Sequence, residues 1–221
     1  MIALHNLEKR YGHVQALGPV SLEMPAGTTT VIQGPSGSGK TTLLRLIAGL
    51  ERPSNGEIHI GGALAGSPDH MQPPHDRGVG FVFQTPSLWP HMTVAQNVAF
   101  GLLGRPRSEI RERVGRILAH MALDGLSRRY PNQISGGQAR RVAIARTLVT
   151  RPRRLLLDEP LTHLEDELKV RVIELILSIA GEEASTLVYV THSPSEARDI
   201  GGTLLKLVDG VFTTSTDDTR G

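Results

Sequence analysis

The chain has no cysteine. Disulfides, zinc–thiolate sites and thiol nucleophiles are excluded with it, and a reducing compartment is compatible with that absence. An excess of one charge is also missing. Lys and Arg number 24 against 22 Asp and Glu, a formal net charge of +2, which argues against a dedicated nucleic-acid binder. No stretch approaches the roughly 18 consecutive apolar residues of a membrane-spanning helix. Work at a membrane would therefore need another chain to cross it. Met1–Arg10 holds no basic stretch followed by an apolar run, so no signal peptide is expected. Internal repeats are absent, and so is any sustained heptad pattern.

What is present is a globular composition over 221 residues, with 39% hydrophobic and 21% charged side chains, enough to bury a sizeable core. Residues 1–33 read as strands and turns, ending in the β-branched run Thr28–Gln33. Leu43, Leu44 and Ile47 fall at helical spacing over Lys40–Ala48, with Gly49 as the stop. Gly56–Ile60 and Val79–Phe83 read as strands, and the Gly/Pro/His-rich stretch Gly61–Arg77 as a loop. Thr93 with Gln96 forms a capping box opening a helix to about Leu103. Ser108 is expected to cap a helix over Glu109–Met121, and Gly137–Thr150 to form a third. Leu155–Leu157 is a wholly apolar strand suited to a sheet covered on both faces. An amphipathic helix follows over Leu164–Ala180, then a buried strand over Thr186–Val190. Ser193, Pro194 and Glu196 are the N-cap, N1 and N3 of a further helix. Asp209-Gly210 marks a hairpin. The expected fold is α/β: a core over 1–87 and 151–221, interrupted by a helical subdomain over 88–150.

Gly34-Pro35-Ser36-Gly37-Ser38-Gly39-Lys40-Thr41 matches the phosphate-binding pattern G-x-x-x-x-G-K-[ST] in full, between a strand and a helix as that motif requires. Glycines let backbone N–H groups wrap a phosphate, and the helix N-terminus adds a positive end. Lys40 suits the β- and γ-phosphates of a nucleotide, and the Thr41 hydroxyl suits Mg²⁺. Asp158 and Glu159 close the apolar strand at the edge where open α/β sheets bind ligands. Asp158 is the candidate magnesium carboxylate, and Glu159 the candidate for polarising or deprotonating water.

Ile134-Ser135-Gly136-Gly137-Gln138 resembles the signature of ATP-binding cassette (ABC) ATPases, and the resemblance runs along nearly the whole chain in the expected order. It implies a P-loop NTPase (RecA-like) sheet core, an N-terminal antiparallel β part and an inserted helical subdomain. It also implies ATP hydrolysis with Mg²⁺. Tyr11 looks like the aromatic that stacks on adenine. Ser36, Gly37, Ser38, Gly39, Lys40, Thr41 and Thr42 fall in the nucleotide loop. Gln84, after Gly80-Phe81-Val82-Phe83, matches a glutamine that contacts magnesium and water. Asp158 and Glu159 match the metal and catalytic carboxylates, and His192 the histidine that contacts the γ-phosphate. The family pairs two copies head to tail, so that Ser135, Gly136, Gly137 and Gln138 of one close over the nucleotide held by the other.

The residues 83–94 are similar to those of bacterial importer ATPases. This implies transmembrane permease subunits as partners and, through them, a substrate-binding protein. The implied location is peripheral, on the cytoplasmic face of the inner membrane. Val94, Val98 and Leu102 either present an apolar strip to a permease or pack the subdomain. The alternatives are an ABC ATPase that is soluble or handles lipids or lipoproteins, and a P-loop kinase. The short span from Lys40 to Ser135 weighs against the coiled-coil insertion of soluble repair ATPases, and a kinase leaves the signature unexplained. Residues 193–221 are too few for a C-terminal regulatory domain, so none is expected. The chain departs from the family at Thr162-His163-Leu164-Glu165, where Ser-Ala-Leu-Asp is usual. That departure bears on coupling between the two sites.

Overall fold

The computed structural model describes residues 1–213; positions 214–221, the end of the expected 151–221 core segment, lie outside the described residues. The chain opens with an antiparallel hairpin, β1 (Ile2–Tyr11) and β2 (Val14–Met24). β3 (Thr29–Gln33) then feeds the helix α1 (Lys40–Ala48). β4 (Asn55–Ile60) and β5 (Ala63–Gly66) return to the hairpin, giving a sheet of order β2-β1-β4-β5. β6 (Val79–Val82) precedes three helices, α2 (Val94–Ala99), α3 (Arg107–His120) and α4 (Gly136–Leu148). The chain then alternates through β7 (Arg154–Asp158), α5 (Asp166–Glu182), β8 (Thr186–Thr191), α6 (Pro194–Ile200), β9 (Thr203–Val208) and β10 (Val211–Thr213). The second sheet has the order β10-β9-β3-β8-β7-β6, parallel except for β10.

Period-two alternation explains why these strands are apolar throughout. Val31, Leu155, Leu157, Leu187 and Tyr189 face one hydrophobic cluster, shared with α2–α6. Ile32, Leu156, Val188, Val190 and Leu207 face the other, shared with α1 and the inner face of the first sheet. Leu155, Leu156 and Leu157 are all essentially inaccessible, and each such burial stabilises by about 1.5–3 kcal/mol. The parallel sheet is therefore a rigid floor, and its carboxyl edge is held from both sides.

The capping box Thr93–Gln96, the Ser193 cap and the Asp209-Gly210 hairpin form where the sequence places them. Other boundaries differ. Gly61–Arg77 is not merely a loop: it holds β5 and a 3₁₀ turn at Pro74–Asp76. Ser108 is not a cap, because α3 begins one residue earlier behind Pro106; proline presets the backbone angle for helix entry. α5 starts at Asp166 rather than Leu164, after a turn containing His163 at φ 64°. Val94, Val98 and Leu102 are 0%, 0% and 1% exposed. They pack the interior beneath α2 and present nothing to a partner, so the packing reading of these three is the correct one.

Arg77 anchors the end of the 61–77 stretch. Its side chain is buried and donates to the carbonyls of Leu46, Ile47, Ala65 and Gln72. Two of these belong to the last turn of α1, that of Leu46 also accepting from the Gly49 N–H, and a cation there is favoured by the helix dipole. Gly49 must be glycine here: φ is 78°, and a Cβ would lie 2.4 Å from Arg77 Nε.

Candidate functional site

Four parallel strands deliver the chemistry-bearing residues to one edge. β3 ends at Gln33 and enters the loop Gly34–Gly39. β6 ends two residues before Gln84. β7 ends on Asp158, and β8 ends beside His192. Because β3, β8, β7 and β6 are consecutive neighbours, their carboxyl ends share a rim.

The loop is shaped by close approach. A Cβ at Gly34 would lie 2.1 Å from the Leu207 carbonyl oxygen, and one at Gly39 would lie 2.4 Å from that of Ala16. Gly39 caps α1 in the left-handed region without a side-chain bond, so the first N–H groups of the helix point to the site. Lys40 is buried, with Nζ donating to the Gly34 and Pro35 carbonyls at 2.8 and 2.7 Å and 3.9 Å from Glu159 Oε1. Burial lowers its pKa, an effect the nearby carboxylates oppose. Ser38 Oγ is buried without a hydrogen-bond partner among the described residues, an expensive state, and Ser38 does not line the cleft around the loop.

Around the loop lies a cleft of about 300 Å³ lined by Ser36, Gly37, Gly39, Lys40, Thr41, Thr42, Gln84, Glu159 and Ala16. Thr41 Oγ1 donates to Asp158 Oδ1 at 3.1 Å. Asp158 is 2% exposed, and its burial raises its pKa, with the Thr41 bond opposing. Thr41, Asp158 and the Gln84 amide form a donor set of hard oxygens, which fits magnesium. Glu159 stands at φ 45°, a left-handed backbone rare for a glutamate and typical of functional positions. Its Oε2 lies 3.1 Å from His192 Nδ1. His192 itself opens on a second small cleft beside Gly34 and Pro35.

Two groups of expected residues stand apart. Tyr11 is half exposed, bonded to Glu51 and covered by Lys9 Nζ at 4.9 Å from its ring centroid, outside the lining of the cleft. Burial and Glu51 raise its pKa. Ser135 caps α4 and exchanges the reciprocal bonds of a capping box with Gln138, at 3.2 and 2.9 Å. Ser135 and Gly136 are exposed, and neither they nor Gly137 and Gln138 line the cleft of their own chain.

Sequence reasoning missed Arg140. It is 8% exposed on α4, donates to the Glu159 carbonyl at 3.3 Å and is attracted by Asp158 and Glu159. Burial lowers its pKa. Only its place on the inner face of the helix, one turn after Gly136, hinted at this. Thr162 Oγ1 holds the same carbonyl at 3.0 Å. Behind His192, the buried Glu196 accepts from Tyr189 and Thr191, and Thr191 accepts from the Ser193 N–H. This network fixes the strand end that carries the histidine.

Residues 17–162 match the family described as ABC transporter. The chain is 41% identical over 210 residues to the "Fe(3+) ions import ATP-binding protein FbpC" of Pseudomonas fluorescens, covering 95% of this chain and 59% of that protein. It is 42% identical over 215 residues to the "Trehalose/maltose import ATP-binding protein MalK" of Thermococcus litoralis, covering 96% and 58%. The chain thus spans somewhat under three fifths of the length of these relatives. The ATP-binding cassette MJ0796, solved as a dimer in a post-hydrolysis state bound to ADP and Pi, superposes with a TM-score of 0.88 at 33% identity over 100% of both chains.

Proposed function

Because the chain belongs to the ABC transporter family, we propose that it is an ATPase subunit that powers a membrane transporter, hydrolysing ATP to ADP and phosphate. The observation that carries this reading is one cleft. Lys40, Thr41, Gln84 and Glu159 line it together, with Asp158 accepting from Thr41 and His192 lying 3.1 Å from Glu159.

Each residue has a part that its chemistry supports. The loop N–H groups, the α1 N-terminus and Lys40 hold the β- and γ-phosphates of ATP. Thr41, Asp158 and Gln84 would hold magnesium, which when bound neutralises charge developing on the phosphate oxygens. Glu159 orients the attacking water and accepts its proton, and its left-handed backbone aims the carboxylate into the cleft. His192 keeps Glu159 in place and donates to the γ-phosphate. Phosphoryl transfer is mostly positioning and electrostatics, so each such group contributes about 2.7–4 kcal/mol of barrier lowering. Tyr11, half exposed outside the cleft lining, would offer the free face of its ring to adenine.

Ser135 and Gly136 lie exposed at the N-terminus of a helix of 13 residues, away from the cleft of their own chain. That separation supports a head-to-tail pair in which they cradle the partner's nucleotide. The dimeric assembly of the structural relative supports the same reading. The names of these relatives favour import of a solute, and on that reading the chain sits peripherally at the cytoplasmic face of a membrane. A permease would dock on the outer side of the helical part, in a groove of about 620 Å³ between α2 and α3 lined by Ala95, Ala99, Ile110, Val114 and Leu118 and rimmed by Arg107, Arg111 and Arg128. A substrate-binding protein would act through that permease.

The test is release of phosphate from MgATP by the purified chain. Turnover that disappears in Lys40→Ala supports the proposal. Turnover unaffected by that change, or absent in the wild type under all nucleoside triphosphates, contradicts it.

A further inference from the structure

We infer that Arg146 is a positioning residue for Gln84: with its neighbour Thr147 it ties both flanks of the Gln84 arc to α4, the helix that Ser135 caps. On the strand side, Thr147 Oγ1 donates to the Phe81 carbonyl at 3.1 Å. On the far side, the Arg146 guanidinium donates to the carbonyls of Ser87 and Pro86 at 3.0 and 3.3 Å. Gln84 lies midway between these grips. The inference rests on the reading of Gln84 as a contact to the nucleotide and its magnesium.

The far side of the arc is held as one body. The Arg146 guanidinium lies 4.6 Å from the centroid of the Trp89 ring, which stacks on Phe100 at 4.3 Å. Asn97, fully buried on α2, accepts from the Trp89 N–H and donates to the carbonyls of Trp89, Met92 and Thr93. Pro86 and Pro90 lack a backbone donor, and Ser87 is left-handed at φ 44°. Such a segment has no sheet or helix to define it, so its shape comes from these side chains. Gln84 is thereby fixed relative to α4. The same helix is capped by Ser135 and touches the Glu159 carbonyl through Arg140. A displacement of the signature end would reach Gln84 along a rigid rod of about 15 Å.

Only arginine meets this geometry. Its planar fork donates to two carbonyls while one face lies on an indole, which a lysine ammonium cannot do. Trp89 is the single tryptophan, so its emission reports the arc directly. The experiment compares the full chain with Arg146→Ala and Arg146→Lys. It measures Trp89 emission, ATP affinity in EDTA, and kcat and KM with MgATP. Both variants are expected to shift the emission and to lower kcat by about 10-fold or more. Affinity in EDTA is expected to stay within about 3-fold, because the phosphate loop is untouched. Trp89→Phe keeps the fork and an aromatic face, and should retain kcat. If Arg146→Ala is recovered unfolded, Arg146→Lys carries the comparison alone. A shifted emission with kcat unchanged, a kcat restored by lysine, or a loss confined to ATP affinity overturns the inference. Wild-type turnover with unaffected variants removes this inference only, whereas absent wild-type turnover removes the ATPase reading with it.

Discussion

His192 Nδ1 and Glu159 Oε2 sit 3.1 Å apart, each just beyond the end of its own parallel strand. Neighbouring strands β7 and β8 bring them together, and the Glu159 N–H is itself held by the Val190 carbonyl at 3.0 Å. The pair places a proton acceptor and a cation-capable donor on the same wall. Glu159→Gln is expected to bind ATP with near wild-type affinity while kcat drops by about 10²–10⁴. His192→Ala should lose about 10²–10³ in kcat. Steady-state phosphate release alongside equilibrium ATP binding reads both, and unchanged kcat in either contradicts the role given to that residue.

Asp158 is a case where function opposes stability. Its burial raises its pKa, so the ionised form is disfavoured in the fold relative to the unfolded chain. The penalty is full above the folded pKa and vanishes below the unfolded one. Asp158→Asn keeps the acceptor for Thr41 and removes the charge. The variant should therefore unfold at a higher temperature than the wild type at neutral pH, with the gap closing as pH falls through the carboxylate range. Thermal scans across pH check this. A gap that widens on acidification contradicts it.

Arg77 predicts a purely structural effect. Arg77→Ala removes a guanidinium donor from four carbonyls, of which those of Leu46 and Ala65 keep the N–H groups of Gly49 and Gln72. A loss of about 3 kcal/mol is expected, read as a lower urea midpoint with an unchanged slope. A change below about 1 kcal/mol would mean that water replaces the guanidinium.

The turn after Glu159 holds Thr162-His163-Leu164-Glu165, where the resemblance leads to the expectation of Ser-Ala-Leu-Asp. Glu165 stands at the N-cap of α5 without a side-chain bond to the helix. Aspartate is a good cap and glutamate is not among the preferred ones. Glu165→Asp should therefore stabilise by about 0.5–1 kcal/mol. Replacing Thr162-His163-Leu164-Glu165 by Ser-Ala-Leu-Asp should keep hydrolysis but alter its cooperativity in ATP. Kinetics identical to the wild type would show that the departure is silent.

Much of this was legible in the sequence because the signals are local. A Gly/Lys/Thr loop between a strand and a helix, an apolar triplet ending in two acids, and the Thr93 and Ser193 caps are each written within a few residues. What escaped was long-range. β5 pairs with β4 despite a loop-like composition, since an edge strand of four residues needs little propensity once a neighbour offers hydrogen bonds. Arg77, Arg140 and Arg146 carry no local signal of their roles, because all three donate to backbone carbonyls distant in sequence. Val94, Val98 and Leu102 show the limit of periodicity: the pattern marks an apolar face without saying whether protein or partner covers it.

The central claim is that two copies share each nucleotide. The absence of native cysteine makes a clean test possible. In the Glu159→Gln background, Ser135→Cys and Ser36→Cys are introduced on separate copies, which are mixed and exposed to a short bifunctional thiol cross-linker with and without MgATP. A covalent heterodimer that forms only with MgATP is the predicted result. A chain that stays uncrosslinked and monomeric at saturating MgATP would contradict the account.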